Sequence, residues 1–465
     1  MNGKELNINL HKLLRHLDSI KDTLPMVLLL LRPYQKKARL KFEEFSEKNV
    51  EEVEEEDGKK VISIPYDQSR IYDQLSKNYQ TSSLASKIIP ESLFVSLISQ
   101  YDSYLNQLLR ILFNIRPEYI NNSDRELTFA DLNNFNSIEE AREFIIEKEV
   151  ESVLRKSHSE HFTYLENKIG MPLKKELPIW KTFIEITERR NLFVHCDGIV
   201  SSQYIKVCKE NKCLPKDVEL NQRLMADLNY FNSAYECLYE ITTKLTHTIW
   251  RKLINEDIKQ ADEKLNEICY ELLADGQYKL ADILLDFACK QTKHYNDSTK
   301  NLFIVNKSLS QFLQDNKENA LEIINSKDWS ASSDDYKMAH LILSEKVDEV
   351  YTLMKKIGKD GDVHKENYKA WPLFYELRKQ EKFKKLYEEI FKEEYKVLEI
   401  PKRPIQELIE ELVDKNPKLK ENKTEKVVTK KKATVKRKVQ TKKKVPAKKT
   451  AIKKIPTKVK KESEN

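Results

Sequence analysis

Apolar residues recur at helical spacing along most of this chain. Between residues 91 and 115 the stripe is Phe94, Leu97, Ile98, Tyr101, Leu105 and Leu108, and similar stripes predict helices over about 5–42, 138–168, 179–196 and 222–253. The acidic run 43–57, ending in Asp57-Gly58, predicts an exposed loop or hairpin that leads into Val61-Ile62-Ser63-Ile64. Residues 26–31, after Pro25, form the one dense apolar run. It is far short of the roughly 18 residues a membrane span needs, so it reads as a buried helix. Tyr101, Tyr104, Phe231, Tyr235 and Tyr239 fall on the stripes and are expected in a core or interface. A helical bundle should close near Trp250.

Beyond Trp250 the pattern repeats. Leu272, Leu273, Ala274, Asp275, Gly276, Gln277, Tyr278, Lys279, Leu280 and Ala281, continuing through Leu284 and Leu285 to Ala288, have weaker echoes downstream. These lie at 316–320 with Ile323, 346–350 with Leu353, and 381–386 with Ile390, at intervals of about 30 to 39 residues from Ala281. The unit resembles the helix-turn-helix of tetratricopeptide repeats, and a stack of such units implies a concave face for a protein partner. The later units lack the Gly and Ala signature, so plain helical hairpins remain an equal reading. Trp371-Pro372-Leu373-Phe374 through Phe391 would cap the stack. The expected organisation is a bundle over 1–253 with an acidic insertion near 43–60, a helical repeat region over 257–400, a linker over 401–417 and a tail over 418–465.

Composition narrows the class. Charged residues make up 34% of the chain and only seven Gly occur, at 3, 58, 170, 198, 276, 358 and 361. Neither GxxxxGK[ST] nor GxGxxG is present, which argues against nucleotide-binding α/β folds. The expected fold class is mainly α. Six Cys without a CxxC pair suggest reduced thiols and a cytoplasmic setting. No basic segment followed by an apolar core opens the chain, so secretion is not expected, and no membrane partner is expected either.

Charge is concentrated at one end. Residues 418–465 carry 19 Lys and one Arg against four Glu, a net of +16 that leaves residues 1–417 at −9 in a chain of +7. Lys430, Lys431, Lys432, Lys442, Lys443, Lys444, Lys448 and Lys449 stand among Val, Thr, Ala and Pro with no aromatic to build a core. Such a segment should be disordered. Its composition is similar to the tails of linker histones and some bacterial nucleoid proteins. Physically it would neutralise phosphates without reading bases, giving nonspecific nucleic-acid contact and an association with the nucleoid. A solubilising extension is the plainer reading.

Candidate chemistry lies in Glu188-Arg189-Arg190-Asn191-Leu192-Phe193-Val194-His195-Cys196-Asp197-Gly198. An arginine can bind a phosphate bidentately, an imidazole can move a proton near neutral pH, and an amide can orient either. Arg and His recur at this spacing from Arg189 and Arg190 to His195 and from Arg155 to His161. Ile179, Trp180, Phe183, Ile184 and Ile186 put the first set on an amphipathic helix that Pro178 can start and Asp197-Gly198 can stop. The run Arg-Asn-x-x-x-His, with Gly198-Ile199-Val200 and Tyr204 beyond, resembles the HEPN superfamily of all-helical domains.

That resemblance covers at most the first 250 or so residues. It implies a metal-independent endoribonuclease of the toxin or defence kind, with no cofactor, whose bundle dimerises to bring two motifs into one cleft. Arg190 would bind the scissile phosphate, His195 would act as acid/base or position the ribose hydroxyl, and Asn191 would orient both. The 2′-hydroxyl would attack to leave a cyclic phosphate. Arg189 is a candidate for nucleic-acid contact beside them. The bland reading is that Arg and His near a helix C-terminus complement its dipole, with Glu188 or Asp197 as surface partners. The stretch from Arg155 to His161 is polar all round, and although His158 and His161 could share a metal, no further ligand stands at suitable spacing. Two functions therefore compete: an RNA-cleaving effector, and a non-enzymatic scaffold that joins a protein partner to DNA or RNA.

Overall fold

The computed structural model describes residues 2–54, 60–121, 127–175 and 177–398, with positions 401, 407 and 411. The fold is mainly α, and residues 1–400 form one compact unit. Two long antiparallel helices, α1 (Asn2–Asn49) and α2 (Ser69–Ile115), open the chain. At 1.5 Å per residue each is about 70 Å long. Short strands β1 (Glu51–Glu54) and β2 (Lys60–Ser63) pair antiparallel between them, with Glu51 opposite Ser63. The hairpin expected after the acidic run is present, but it starts late because the helix continues through residues 43–49.

Two differences from the sequence reading lie in this helix pair. Pro90 marks a helix start by its local chemistry, yet α2 begins 21 residues earlier and runs through it. Pro25 and Pro33 are likewise inside α1. A proline removes one backbone donor from a helix, and here the packing of two long helices against each other holds the backbone through that loss. Phe42 lies 5.4 Å from Tyr72 and 5.7 Å from Tyr79, and Ser86 donates to Gln35. The run 26–31 is helical but not buried. Leu24 is fully covered, whereas Leu30 is 65% exposed.

The bundle is completed by α3 (Glu118–Asn121), α4 (Phe129–Leu132), α5 (Ile138–Leu154), α6 (His158–Ile169), α7 (Trp180–His195), α8 (Ser202–Glu210) and α9 (Leu228–Leu253). The single helix expected over 138–168 is two. Ser157 caps α6 in a capping box with Glu160, which ends the preceding segment and restarts the helix. Tyr101, Tyr104, Phe231, Tyr235 and Tyr239 are all buried.

After a turn at 255–257 the chain forms helical hairpins: α10 (Ile258–Ala274) with α11 (Tyr278–Cys289), α12 (Asp297–Leu313) with α13 (Lys317–Ile324), and α14 (Asp334–Leu343) with α15 (Val347–Ile357). α16 (Lys365–Ala370) and α17 (Glu381–Phe391) follow. The first three share one turn geometry. Gly276, Asp315 and Glu345 have φ of 75°, 63° and 57°. The next residue, Gln277, Asn316 or Lys346, donates its N–H to the carbonyl of Leu272, Gln311 or Leu341, five positions back. This is the six-to-one bond of a helix C-terminus closed by a left-handed residue. Five residues past each turn stand Ala281, Ala320 and Val350, all fully buried. The periodicity visible in sequence is thus a repeated hairpin. One hydrophobic core runs from Leu6 through Trp250 to Tyr395, without a break at 253–257.

Candidate functional site

Helix α7 carries the motif and stops where Asp197-Gly198 predicts. Asp197 and Gly198 have φ of 50° and 77°, and the N–H of Gly198 returns to the Leu192 carbonyl. A Cβ on Gly198 would lie 3.1 Å from the Leu224 carbonyl oxygen and from the Phe193 ring, so the glycine also admits a close crossing. Phe193 anchors the helix on α2 through an edge contact with Phe94 at 5.6 Å.

Arg189 and Arg190 point in different directions. Arg189 is buried, with Nε 2.8 Å from Glu185 Oε1 and Nη1 donating to the Met225 carbonyl. Its guanidinium lies 3.9 Å from the centre of the Tyr230 ring. Glu185 also accepts from the hydroxyls of Tyr204 at 2.6 Å and Tyr230 at 2.7 Å. The expected nucleic-acid contact for Arg189 does not fit this placement, since its donors are spent inside the bundle. Burial disfavours its charge, but Tyr230 and Glu185 outweigh that and raise its pKa. Tyr204, quoted as part of the motif, is one wall of this ion pair.

Arg190 faces a different cluster. Its Nη1 donates to Asn191 Oδ1 at 3.2 Å, and Nη2 lies 3.7 Å from Asp102 Oδ2 on α2. The other oxygen of Asp102 is 3.1 Å from His158 Nε2, at the start of α6. Asp102 therefore stands between a guanidinium and an imidazole drawn from two other helices. Arg190 Nε is buried and has no hydrogen-bond partner among the described residues. Glu188 completes the group, and burial raises its pKa while His158 and Asn191 partly counteract.

His158 is held from the other side by aromatic rings. Tyr101, Phe183 and His161 have centroids 5.9, 6.0 and 5.2 Å from it. His161 is buried, and burial followed by the neighbouring His158 lowers its pKa to about 4. Among the described residues no three His, Cys, Asp or Glu side chains are placed to hold a metal ion, so the pair His158 and His161 has no further ligand.

His195 is exposed at the last turn of α7 and joins no hydrogen bond or ion pair among the described residues. At 1.5 Å per residue it stands about 7.5 Å along the axis from Arg190. The structure therefore brings Arg190 and Asn191 together and leaves His195 beside them. Asp102 is the member that sequence reasoning passed over, while His158 was weighed only as a metal ligand and Glu188 only as a surface partner. His158 had one usable signal, its place next to the Ser157 and Glu160 cap; Asp102 had none, being 88 residues from Arg190. Lys430, Lys431, Lys432, Lys442, Lys443, Lys444, Lys448 and Lys449 lie outside the described residues, as does the expected disorder of their segment.

No protein-family model, curated protein or solved structure matches the chain. No helix among the described residues is long and apolar enough to cross a membrane.

Proposed function

We propose that this protein is a metal-independent endoribonuclease, of the toxin or defence kind, whose site is built on Arg190, Asn191, His158 and His195. The observation that carries this reading is the partly exposed Arg190 guanidinium beside Asp102, a carboxylate that also grips the His158 imidazole. A guanidinium whose one carboxylate contact is as long as 3.7 Å keeps donors for a phosphate oxygen. A histidine oriented by an acidic group is the arrangement that general acid–base chemistry uses.

Cleavage of RNA by its own 2′-hydroxyl needs two proton transfers. One group takes the 2′-hydroxyl proton as that oxygen bonds to phosphorus, and another gives a proton to the departing 5′-oxygen. With Nε2 of His158 facing the Asp102 carboxylate, the tautomer with its proton on Nε2 is favoured, leaving Nδ1 to accept. His158, from α6, then serves as the base and His195 as the acid, with Arg190 about one and a half turns before His195 on α7 and Asn191 steadying the guanidinium. Products carry a 2′,3′-cyclic phosphate and a 5′-hydroxyl. A homodimer that pairs two such sites fits the apolar residues around the end of α7, where Val194, Ile199 and Met225 are 45%, 42% and 52% exposed. The lysine-rich tail would hold the enzyme near nucleic acid in the cytoplasm or on the nucleoid, and the hairpins would hold a protein partner.

The second reading is a non-enzymatic scaffold linking a protein partner to DNA or RNA. It is favoured by the position of Asp102, which touches both His158 and Arg190 and would tie α2, α6 and α7 together without any chemistry. The two readings separate on labelled RNA incubated with the full chain in EDTA. The enzymatic reading expects cyclic-phosphate ends that vanish in Arg190→Ala and His158→Ala; intact RNA with all three proteins supports the scaffold.

A further inference from the structure

A cavity of about 380 Å³ opens on the face formed by the first helices of successive hairpins. Asn266 and Tyr270 come from α10, Leu302 and Asn306 from α12, and Asp335 from α14. Asp362, Glu366 and Trp371 close it from the α16 segment. No Lys, Arg or His lines it. None of the three carboxylates makes an ion pair among the described residues, although Asp335 Oδ1 already accepts from the Ser333 hydroxyl and the Tyr336 N–H. The nearby cations are engaged elsewhere: Lys365 and Lys369 pair with Glu393 at 3.3 and 2.9 Å, and Arg378 donates to the carbonyls of Tyr368 and Trp371.

A second, independent feature points to a ligand. Asn306 is 1% exposed, and its Nδ2 donates to Asn266 Oδ1 at 2.9 Å, but its own Oδ1 is buried without a partner among the described residues. A buried acceptor left unmatched costs about 1–3 kcal/mol, so a donor is what this wall lacks. Three carboxylates, an orphan carbonyl oxygen and the rings of Tyr270 and Trp371 all favour the same visitor, a cation with N–H donors and an apolar stem.

We propose that this cavity binds an alkylammonium group, with the ammonium directed to Asn306 Oδ1 and the carboxylates, and the alkyl stem lying along Leu302 and Trp371. Two sources share that chemistry, the lysine side chain of a peptide and a free polyamine. This specifies the ligand for the hairpin region and stands apart from the RNA-cleaving reading, because its readout is binding rather than cleavage.

The test uses the chain ended at Ile400, which retains the whole described core and frees the titration from competing tail lysines. Calorimetric titration with a blocked tetralysine peptide and, separately, with spermidine should show saturable binding of at least one probe. Asp362→Asn with Glu366→Gln should weaken it by tenfold or more. Glu318→Gln with Glu322→Gln, which removes the same charge from the exposed face of α13, should leave it unchanged. Binding of peptide alone assigns a protein source, and binding of spermidine alone assigns a polyamine. Absence of binding at millimolar probe, or equal losses in the two double variants, overturns the proposal.

Discussion

Adjacent arginines on α7 offer a sharp contrast in consequence. Arg189→Ala strips a buried carboxylate of its partner and should cost roughly 3–5 kcal/mol, since Glu185 would be left among Tyr204, Tyr230 and apolar walls. Arg190→Ala removes a partly exposed side chain whose one carboxylate contact is long, and should cost about 1 kcal/mol or less. Urea unfolding of both variants checks the ordering, and a reversal would mean that Arg190 is the structural residue. Glu188 gives a pH-dependent test. Its carboxyl pKa is raised in the fold, chiefly by burial, so ionisation destabilises the native state as pH climbs through the unfolded value toward the raised one. Glu188→Gln should therefore raise the melting temperature at pH 7, with the gain disappearing below about pH 4. An unchanged melting temperature at pH 7 would show that His158 and Asn191 fully compensate the burial.

At the scale of elements, turn glycines separate two kinds of constraint. Gly276 and Gly198 both hold positive φ, but a Cβ at Gly276 meets nothing closer than 4.0 Å, while at Gly198 it meets backbone and ring at 3.1 Å. Gly276→Ala should cost roughly 1–2 kcal/mol from backbone strain alone, and Gly198→Ala should cost more. Equal losses in chemical denaturation would argue against the close crossing. Periodicity showed these elements well where the signals were local. The helix over 179–196, its stop at Asp197-Gly198 and the spacing of the hairpins were all legible in sequence. The misjudged elements are those where distant contacts prevail: α2 runs through Pro90 because α1 supports it, and run 26–31 is helical but only half-covered. The site shows the same division. Arg190 and Asn191 could be found on one helix, whereas Asp102 and His158 reach them only through the packing of α2 and α6; Arg189 looked free although Glu185 stands four residues before it, and only Tyr230 comes to it by distant packing.

For the molecule as a whole, buried imidazoles set the acid limit. His161 and His247 sit in the bundle with pKa values lowered to about 4 and about 3, mainly by burial. The unfolded chain binds those protons near pH 6.5, so stability is full above that value and falls as pH drops toward the lowered ones. Replacing His247, whose ring nitrogens have no partner among the described residues, with Leu should flatten the loss of stability between pH 6.5 and 4. An unaltered acid profile would place the weakness elsewhere. The charge asymmetry of the chain makes a separate prediction. Removing residues 418–465 takes away +16 and should weaken RNA binding and flatten its salt dependence, each lost phosphate contact lowering the log–log slope by about 0.7–0.9. Cleavage of short RNA at saturating enzyme should survive that deletion. The most direct test of the central claim is the pattern of product ends from RNA treated with wild type, Arg190→Ala, His158→Ala and His195→Ala, in EDTA, with melting temperatures taken alongside. The account predicts cyclic-phosphate ends from wild type alone, and little change in melting temperature for Arg190→Ala and His195→Ala; intact RNA with the wild type, or full cleavage by any of the variants, would contradict it.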